Sequence, residues 1–548
     1  MTVSATPSTL NLADHMRQTQ QWGEAVRLYS QLETQLPHDA VFQHNFALSL
    51  LGAKQAAQAV LHADKALALQ PALWQSVVVK VRALTALGQM LAAASVLDAG
   101  RLQFPERAEF ALELASMALH QQCDARLARQ LVQPHLSHPS TATATDACLT
   151  DIMASLYDRD DSAQSLNSRV MQFARNHLER APGRAHSLHP AVTAPSGRQR
   201  LGLLSPHLNC SPVYFFCSGA LRLLAAEFDL YFFSRSQVTD WASAELQRIA
   251  HEWFDVTHLS AERLDIFLRQ QSLDVLVDLG GWMDPIALQA ISTKPAKRMY
   301  KWVGGQSITT GLKAFDGFIT DLAQTPLGFE PWFSEPLVRL PQGYVSYSPP
   351  PYMPAPVAAS QHSHVLGVIA NPVKVSQSFL THLAATLPNN GTGLPTILRF
   401  IDKRYGHRLL QNRIQQGLAS VPKNSGDPFR VEFVSPTSHL NYLTEVGQLS
   451  AVAETFPYSG GLTLIEALSL GVPCGASPPG TLFCERHAHA HQRYLQSRTH
   501  PRIRAHRTPL GKVRPSLIPA DCPRSDHQAL AQSLAQLFAT GQLESSAE

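Results

Sequence analysis

The spacing of hydrophobic positions divides the chain into a helical part and a part in which strands and helices alternate. Between residues 6 and 107, apolar residues recur at the roughly 3.6-residue period of amphipathic helices. From Arg200 onward, short β-rich runs such as RLGLLS and FDLYFFS alternate with helical segments, among them 212–226 and 241–252. Near-continuous apolar strands between helices are typical of parallel sheets that are covered on both faces.

The helical part carries an internal repeat. Three alanines and three prolines recur every 34 residues, and each alanine lies twelve residues before its proline. A small residue lets two helices approach closely, and a proline ends the second helix of a pair. Helix pairs that stack in this way form a concave surface suited to an extended peptide. The repeating residues are Ala25, Ala59 and Ala93 with Pro37, Pro71 and Pro105.

The strands fall into two sets, separated by the proline-dense segment SPPPYMPAPVAAS. Two such sets predict twin Rossmann-like domains with a cleft between them, in which ligands bind beyond the carboxyl ends of the strands. The predicted domains are helical repeats at 1–133, a helical linker region at 134–198, an N-terminal Rossmann-like domain at 199–347, a proline-rich linker at 348–362, a C-terminal Rossmann-like domain at 363–497, and a basic, poorly ordered tail at 498–548 with one possible helix at 526–539.

Composition narrows the class of protein. The chain has 548 residues, 45% of them apolar and 16% charged, which indicates a globular protein of several domains. A net charge of +3 gives no support for binding nucleic acid. The seven cysteines are scattered and lack CxxC spacing, which favours a reducing compartment and no zinc cluster. With no signal-peptide pattern and no apolar run long enough to span a bilayer, we expect a cytoplasmic protein.

One short stretch combines a glycine turn with a helix start. ETFPYSGGLTLIEALSLGVP (454–473) places Ser459, Gly460 and Gly461 after an apolar run and before a segment of helical periodicity. Glycines allow positive φ and let an anion approach the backbone, and the N–H groups at a helix start favour a phosphate. Glu466, about one turn into the helix, could accept hydrogen bonds from ribose hydroxyls. A purely structural turn remains an alternative at this point.

This stretch resembles the nucleotide-sugar loop of the bacterial protein O-linked N-acetylglucosamine transferases, the SPINDLY-type family. Further segments resemble that family in the same order: KPAKRMYKWVGG, FDGFITD, FSEPLVRLPQGY and PGTLFCER. The resemblance covers about residues 200 to 488. The helical part is similar to tetratricopeptide repeats, which precede the catalytic region in that family. The resemblance implies a GT-B fold, with an acceptor-side and a nucleotide-sugar-side Rossmann-like domain.

The resemblance also implies roles for individual residues. Lys374, soon after the first strand of the second domain, matches a lysine that contacts the donor diphosphate; an ordinary surface lysine is the alternative. A cation there would offset charge on the departing nucleotide. The residues implied to bind the nucleotide sugar are Ser459, Gly460, Gly461, Leu462, Thr463, Glu466 and Arg486.

The chain departs from the family pattern at several positions. In SPHLNCS, Ser211 occupies the position of a family histidine near the reacting sugar, and His207 occupies that of an aspartate. His207 could substitute for the missing histidine, or it could be structural. Leu462 replaces a threonine of the glycine loop. His487 and His491 have the i, i+4 spacing of metal ligands but no acidic or cysteine partner nearby, so no metal site is expected.

These observations predict a glycosyltransferase that moves a sugar, most simply N-acetylglucosamine, from a UDP-sugar to Ser or Thr hydroxyls of a protein held by the helical repeats. The expected chemistry is inverting and needs no metal or further cofactor. One alternative is a related transferase that adds hexose to asparagine or to a surface protein. A second is an inactive peptide-binding scaffold.

Overall fold

The computed structural model describes residues 5–180, 197–356, 365–386, 396–421, 429–475, 479–497 and 523–543. The chain forms two compact units, Met1–Ala154 and Ser155–Glu548. The domain boundaries proposed above stay predictions, and residues 498–522 of the predicted tail lie outside the described ranges.

The first unit is built of helices, as the hydrophobic spacing predicts. They are α1 (Ala5–Gln18), α2 (Trp22–Leu32), α3 (Ala40–Gly52), α4 (Ala56–Leu69), α5 (Trp74–Ala86), α6 (Met90–Gln103), α7 (Ala108–His120), α8 (Ala125–Val132) and α9 (Thr141–Ser155), of which the last residue belongs to the second unit.

The 34-residue repeat corresponds to these helix pairs. Helices α2, α4 and α6 are the second members of their pairs, and each contains one of the repeating alanines. Ala25, Ala59 and Ala93 are fully buried, as expected for small residues that let neighbouring helices approach closely. Pro71 and Pro105 lie two residues beyond the ends of α4 and α6, whereas Pro37 lies five residues beyond the end of α2. The prediction of stacked helix pairs is therefore confirmed.

The described part of the second unit contains two parallel sheets. The first has the strand order β3-β2-β1-β4-β5-β6-β7, and the second has the order β10-β9-β8-β11. The strands are β1 (Gln199–Ser205), β2 (Phe228–Ser234), β3 (Glu252–Asp255), β4 (Val275–Asp278), β5 (Arg298–Lys301), β6 (Gly317–Thr320), β7 (Leu337–Arg339), β8 (Val365–Val368), β9 (Thr396–Ile401), β10 (Phe429–Val434) and β11 (Ala451–Val452).

Helices connect and cover these strands. They are α10 (Ala163–Phe173), α11 (Pro212–Leu224), α12 (Trp241–Ile249), α13 (Ala261–Gln270), α14 (Pro285–Ile291), α15 (Gln377–Thr386), α16 (Arg408–Ala419), α17 (His439–Gly447), α18 (Leu462–Ser469), α19 (His487–Ser497) and α20 (Pro523–Thr540).

The sequence prediction was wrong at the edges of the first sheet. The helix expected at 241–252 ends at Ile249, and Glu252–Asp255 forms strand β3 instead. Its partner is β2, and its side chains are exposed or half-buried. An edge strand needs no continuous apolar run, because one of its sides lies open. Its pattern of apolar and polar residues therefore does not differ from that of a helix end. Strand β7 was missed for the same reason.

The last helix packs on the first sheet domain. Leu534 and Phe538 of α20 belong to the same core cluster as Leu221 of α11. The His527 ring lies so close to Gly219 that a Cβ there would clash with it at 2.3 Å. The prediction of a helix at 526–539 is confirmed, and its role is to complete a core. Among the described residues, no helix has the length and apolar character needed to cross a membrane.

Candidate functional site

The candidate site lies at the topological switch point of the second sheet. Strand β8 is flanked by β9 on one side and by β11 on the other, so the chain reverses its direction of winding at β8. The loops that follow β8 and β11 therefore leave the same edge side by side, and a crevice opens between them. The first loop carries Lys374, and the second carries the glycine turn.

Lys374 ends a short 3₁₀ turn, Pro372–Lys374, whose start is capped by the Asn371 side chain. Its ammonium donates to the main-chain oxygen of Ser459 at 2.8 Å and lies 4.1 Å from the centre of the Tyr458 ring. Burial lowers the pKa of Lys374 to about 8, while the charge of Glu454 opposes this shift. The lysine is thus half-buried against the glycine loop, and is not the exposed loop lysine of the alternative reading.

Neither glycine of the loop, Gly460 or Gly461, adopts a positive φ, and only Gly460 is confined by a close neighbour. The prediction of positive φ was therefore wrong. A Cβ on Gly460 would lie 3.1 Å from Glu454 Oε2, whereas a Cβ on Gly461 would meet nothing within 4 Å. Gly461 precedes the first turn of α18, where Leu462 and Thr463 are half-buried. The backbone at this helix start is therefore open to an approaching ligand.

Glu454 is a site residue that the sequence analysis missed. Its carboxylate accepts a hydrogen bond from the Gly460 N–H, one of the groups expected to face an anion. Burial raises the pKa of Glu454 to about 7, against the opposing effects of the Gly460 N–H and Lys374. Glu454 begins the stretch ETFPYSGGLTLIEALSLGVP, so its proximity to the glycine turn was visible in the sequence. It was not predicted as a site residue, because an acidic side chain is not expected beside a site for an anion.

Ser459 and Arg486 anchor the loop. The Ser459 hydroxyl donates to the Cys484 carbonyl at 2.9 Å and accepts from the Ala488 N–H at 3.2 Å. The Arg486 guanidinium donates to the main-chain oxygens of Gln324, Gly480 and Ala323 at 2.9–3.1 Å. Both side chains are buried, and they tie the glycine loop and the segment after it to the first sheet domain. Their implied contact with a nucleotide sugar stays a prediction.

Glu466 lies on the inner face of α18, fully buried. His439 Nε2 lies 2.9 Å from its carboxylate, and His439 Nδ1 lies 3.0 Å from the Tyr352 hydroxyl. That hydroxyl is 3.6 Å from Cys210 Sγ. The sequence analysis missed His439 and Tyr352, because they come from a helix start and from the linker segment, where no motif marks them.

His207 and Ser211 lie together in the loop after β1, at the switch point of the first sheet. The Ser211 hydroxyl donates to the His207 carbonyl at 2.9 Å, which closes the loop. Burial lowers the pKa of His207, and the charge of Asp284 opposes this shift. The imidazole is therefore neutral at neutral pH and able to accept a proton. Its catalytic role stays a prediction.

His487 and His491 are packed in the protein interior. Their rings stack at a centroid distance of 6.2 Å, and burial lowers the pKa of His491 to about 4. Within the described residues, no group of three His, Cys, Asp or Glu side chains is arranged to hold a metal ion.

The resemblance to SPINDLY-type transferases is confirmed by comparison with known proteins. The chain is 27% identical over 230 residues to a probable UDP-N-acetylglucosamine–peptide N-acetylglucosaminyltransferase SPINDLY of Oryza sativa subsp. japonica, covering 40% of this chain and 24% of that protein. For the SPINDLY protein of Solanum lycopersicum, the identity is 28% over 229 residues, with the same coverage. The chain therefore spans about a quarter of the length of these relatives. No family model matches it.

A solved structure has the same fold. The structure of a mutant O-GlcNAc transferase of Thermobaculum terrenum superposes with a TM-score of 0.62 at 20% sequence identity, covering 98% of this chain and 92% of that chain. The predicted fold class, helical repeats followed by a GT-B arrangement of two parallel sheets, is thereby confirmed.

Proposed function

We propose that this protein is a glycosyltransferase that moves N-acetylglucosamine from a UDP-linked donor to Ser or Thr hydroxyls of a protein. The observation that carries the proposal is the position of the Lys374 ammonium, 2.8 Å from the Ser459 carbonyl in the loop that opens α18. A cation and a helix start meet at the switch point of a parallel sheet, which is where such folds bind nucleotide phosphates. The SPINDLY relatives are named as probable UDP-N-acetylglucosamine–peptide N-acetylglucosaminyltransferases, and these names support UDP-N-acetylglucosamine as the donor and a peptide as the acceptor.

The groups around Lys374 suit a diphosphate. A lysine ammonium has three N–H donors, and the bond to Ser459 uses one, so two remain for phosphate oxygens. The open main-chain N–H groups at the start of α18 supply further donors without a metal ion. These fixed charges and dipoles are aimed at the oxygens on which negative charge grows as UDP departs.

The proposed reaction is a direct displacement. The acceptor hydroxyl oxygen attacks the anomeric carbon from the face opposite UDP, and the bond between that carbon and the phosphate oxygen breaks. The bonding electrons leave with UDP, and the configuration at the anomeric carbon inverts. The acceptor proton passes to a base, for which His207 is the candidate, because burial keeps its imidazole neutral.

The helical repeats are the proposed holding surface for the acceptor. Stacked helix pairs of this type present a concave face to an extended peptide. We propose a cytoplasmic location, since the described cysteines carry free thiols and such thiols favour a reducing compartment.

The test combines binding with turnover. UDP is titrated into the protein by calorimetry, and a panel of UDP-sugars is then assayed for UDP release, with intact-mass analysis of candidate acceptor proteins. We expect UDP binding and the addition of N-acetylhexosamine to an acceptor. Lys374→Ala should abolish release, while Lys403→Ala, an exposed lysine of the same sheet domain, should leave it unchanged.

Two results would contradict this proposal. Absence of UDP binding would rule out a UDP-sugar transferase. Binding without release from any donor would instead favour the scaffold alternative, in which the nucleotide site persists and the chemistry is lost.

A further inference from the structure

A chain of four polar side chains connects the two sheet domains beside the proposed nucleotide site. It runs from Cys210, in the loop after β1, through Tyr352 of the linker segment to His439, and ends at Glu466. The three steps measure 3.6, 3.0 and 2.9 Å. Glu466 and Lys374 both belong to the loop-and-helix segment of the proposed site: Lys374 binds the Ser459 carbonyl in the loop before α18, and Glu466 lies about one turn into α18.

The His439 ring is held firmly in place. The Phe215 ring lies 5.5 Å from it, and the Tyr442 ring stacks on it at 6.0 Å with an interplanar angle of 17°. The Tyr352 ring meets it edge to face at 5.7 Å. Since aromatic contacts limit the rotation of the imidazole, its two nitrogens point in fixed directions, one to Glu466 and one to Tyr352.

His439 decides the charge of Glu466. Burial raises the pKa of the Glu466 carboxyl, and the hydrogen bond and charge of His439 oppose that shift. Burial likewise works against the imidazolium, but hydrogen bonding with Cys210 and Glu466 and the charge of Glu466 outweigh it and raise the pKa of His439 to about 9. The protonated His439 ring can donate from both nitrogens, one to Glu466 and one to Tyr352. Without His439, nothing in this pair would oppose the effect of burial, which favours the protonated form of the Glu466 carboxyl.

We propose that His439, fixed by Tyr352, is a positioning residue that keeps the Glu466 carboxylate ionised and aimed at the ribose hydroxyls of the donor, and so makes the site select ribose over deoxyribose. The inference rests on the proposed function, since it concerns the same nucleotide. It adds two residues, from a helix start and from the linker, that no sequence motif of this chain marks.

The experiment compares the affinities of UDP and 2′-deoxy-UDP by calorimetry. We expect the wild type to bind UDP about tenfold more tightly than 2′-deoxy-UDP, because the deoxy ligand leaves the buried Glu466 carboxylate without a hydroxyl partner. His439→Ala should bring the ratio close to one. His439→Gln, whose amide can still donate to Glu466, should retain part of it, and Tyr352→Phe should give an intermediate ratio. His407→Ala, a histidine that flanks the start of α16 in the same domain, is the matched control and should keep the wild-type ratio.

The ratio separates positioning from mere stability. If His439 only supported the fold, its replacement would weaken the binding of UDP and of 2′-deoxy-UDP equally. Thermal unfolding of each variant measures any loss of stability. A wild-type ratio in His439→Ala, or in both His439→Gln and Tyr352→Phe if the alanine variant does not fold, would overturn this inference and leave the proposed function intact. Failure of the wild type to bind UDP would overturn both.

Discussion

The carboxylate of Glu454 accepts a hydrogen bond from the main-chain N–H of Gly460, six residues further along the chain. That N–H belongs to the loop proposed to receive the donor diphosphate. The protein's own carboxylate thus occupies one donor of the turn that we propose to bind the anion, and the Lys374 ammonium binds the same loop. A diphosphate that binds here meets Glu454, so the protonation of this acid bears on donor affinity.

We expect affinity for a UDP-sugar to fall by about tenfold as the pH rises from about 6 to about 9. Burial raises the pKa of Glu454 to about 7 and lowers that of Lys374 to about 8. As the pH rises, Glu454 gains a negative charge that repels the diphosphate, and Lys374 loses the positive charge that attracts it. Both changes act in the same direction. Calorimetric titration with a UDP-sugar checks this, because its esterified diphosphate has no proton to lose in that range.

Glu454→Gln supplies the control for this pH dependence. The amide oxygen can still accept from Gly460, but it does not ionise, so the decline near pH 7 should vanish while the decline due to Lys374 remains. An unchanged profile in Glu454→Gln would show that the acid does not face the ligand.

Leu462→Thr should raise UDP affinity about two- to tenfold, which corresponds to one added hydrogen bond of about 0.5–1.5 kcal/mol. Leu462 opens α18 and is half-buried, and the family pattern has a threonine hydroxyl at this place. Calorimetry against UDP measures the change. Leu440→Thr, at an exposed leucine in the first turn of α17, should leave the affinity unchanged. A loss of affinity in Leu462→Thr would mean that the leucine itself shapes the site.

His207→Ala should separate chemistry from binding. If His207 takes the acceptor proton, transfer to the acceptor should fall by about 10²–10⁴-fold while UDP affinity stays at the wild-type value. The exposed His258 of the same domain provides the matched control, His258→Ala. Equal transfer rates in His207→Ala and wild type would assign the proton to another group.

Phe538→Ala should destabilise the second unit by about 3–5 kcal/mol. The Phe538 ring is fully buried, and it packs against the rings of Phe228 and Tyr300 at 6.3 and 5.5 Å. Urea denaturation followed by tryptophan fluorescence measures the loss. Gln532→Ala, on the exposed side of α20, should change stability little. A small effect of Phe538→Ala would show that α20 contributes little to this core.

Local pattern was a good guide where a segment has a single environment. The run FDLYFFS is buried at every position, and it forms β2 over the predicted residues. Patterning failed where environments mix, as in the edge strand β3, and where a strand is brief. Strand β11 is such a case: it spans only Ala451–Val452, because the chain turns into the glycine loop directly after it.

The amino-acid sequence by itself determined the 34-residue helical repeat, the two sets of strands and the glycine turn before a helix. These features arise from side-chain periodicity and sterics between near neighbours, so they can be read along the chain. Only the tertiary structure decided which partners the site residues have: Ser459 for Lys374, Glu454 for Gly460, and His439 for Glu466. Lys374 and Ser459 are 85 residues apart in the sequence, and His439 and Glu466 are 27 apart. The pairing of β8 with β11 brings together the two loops that carry Lys374 and Ser459. Strand order in a sheet is a property of the whole fold, and no local pattern encodes it.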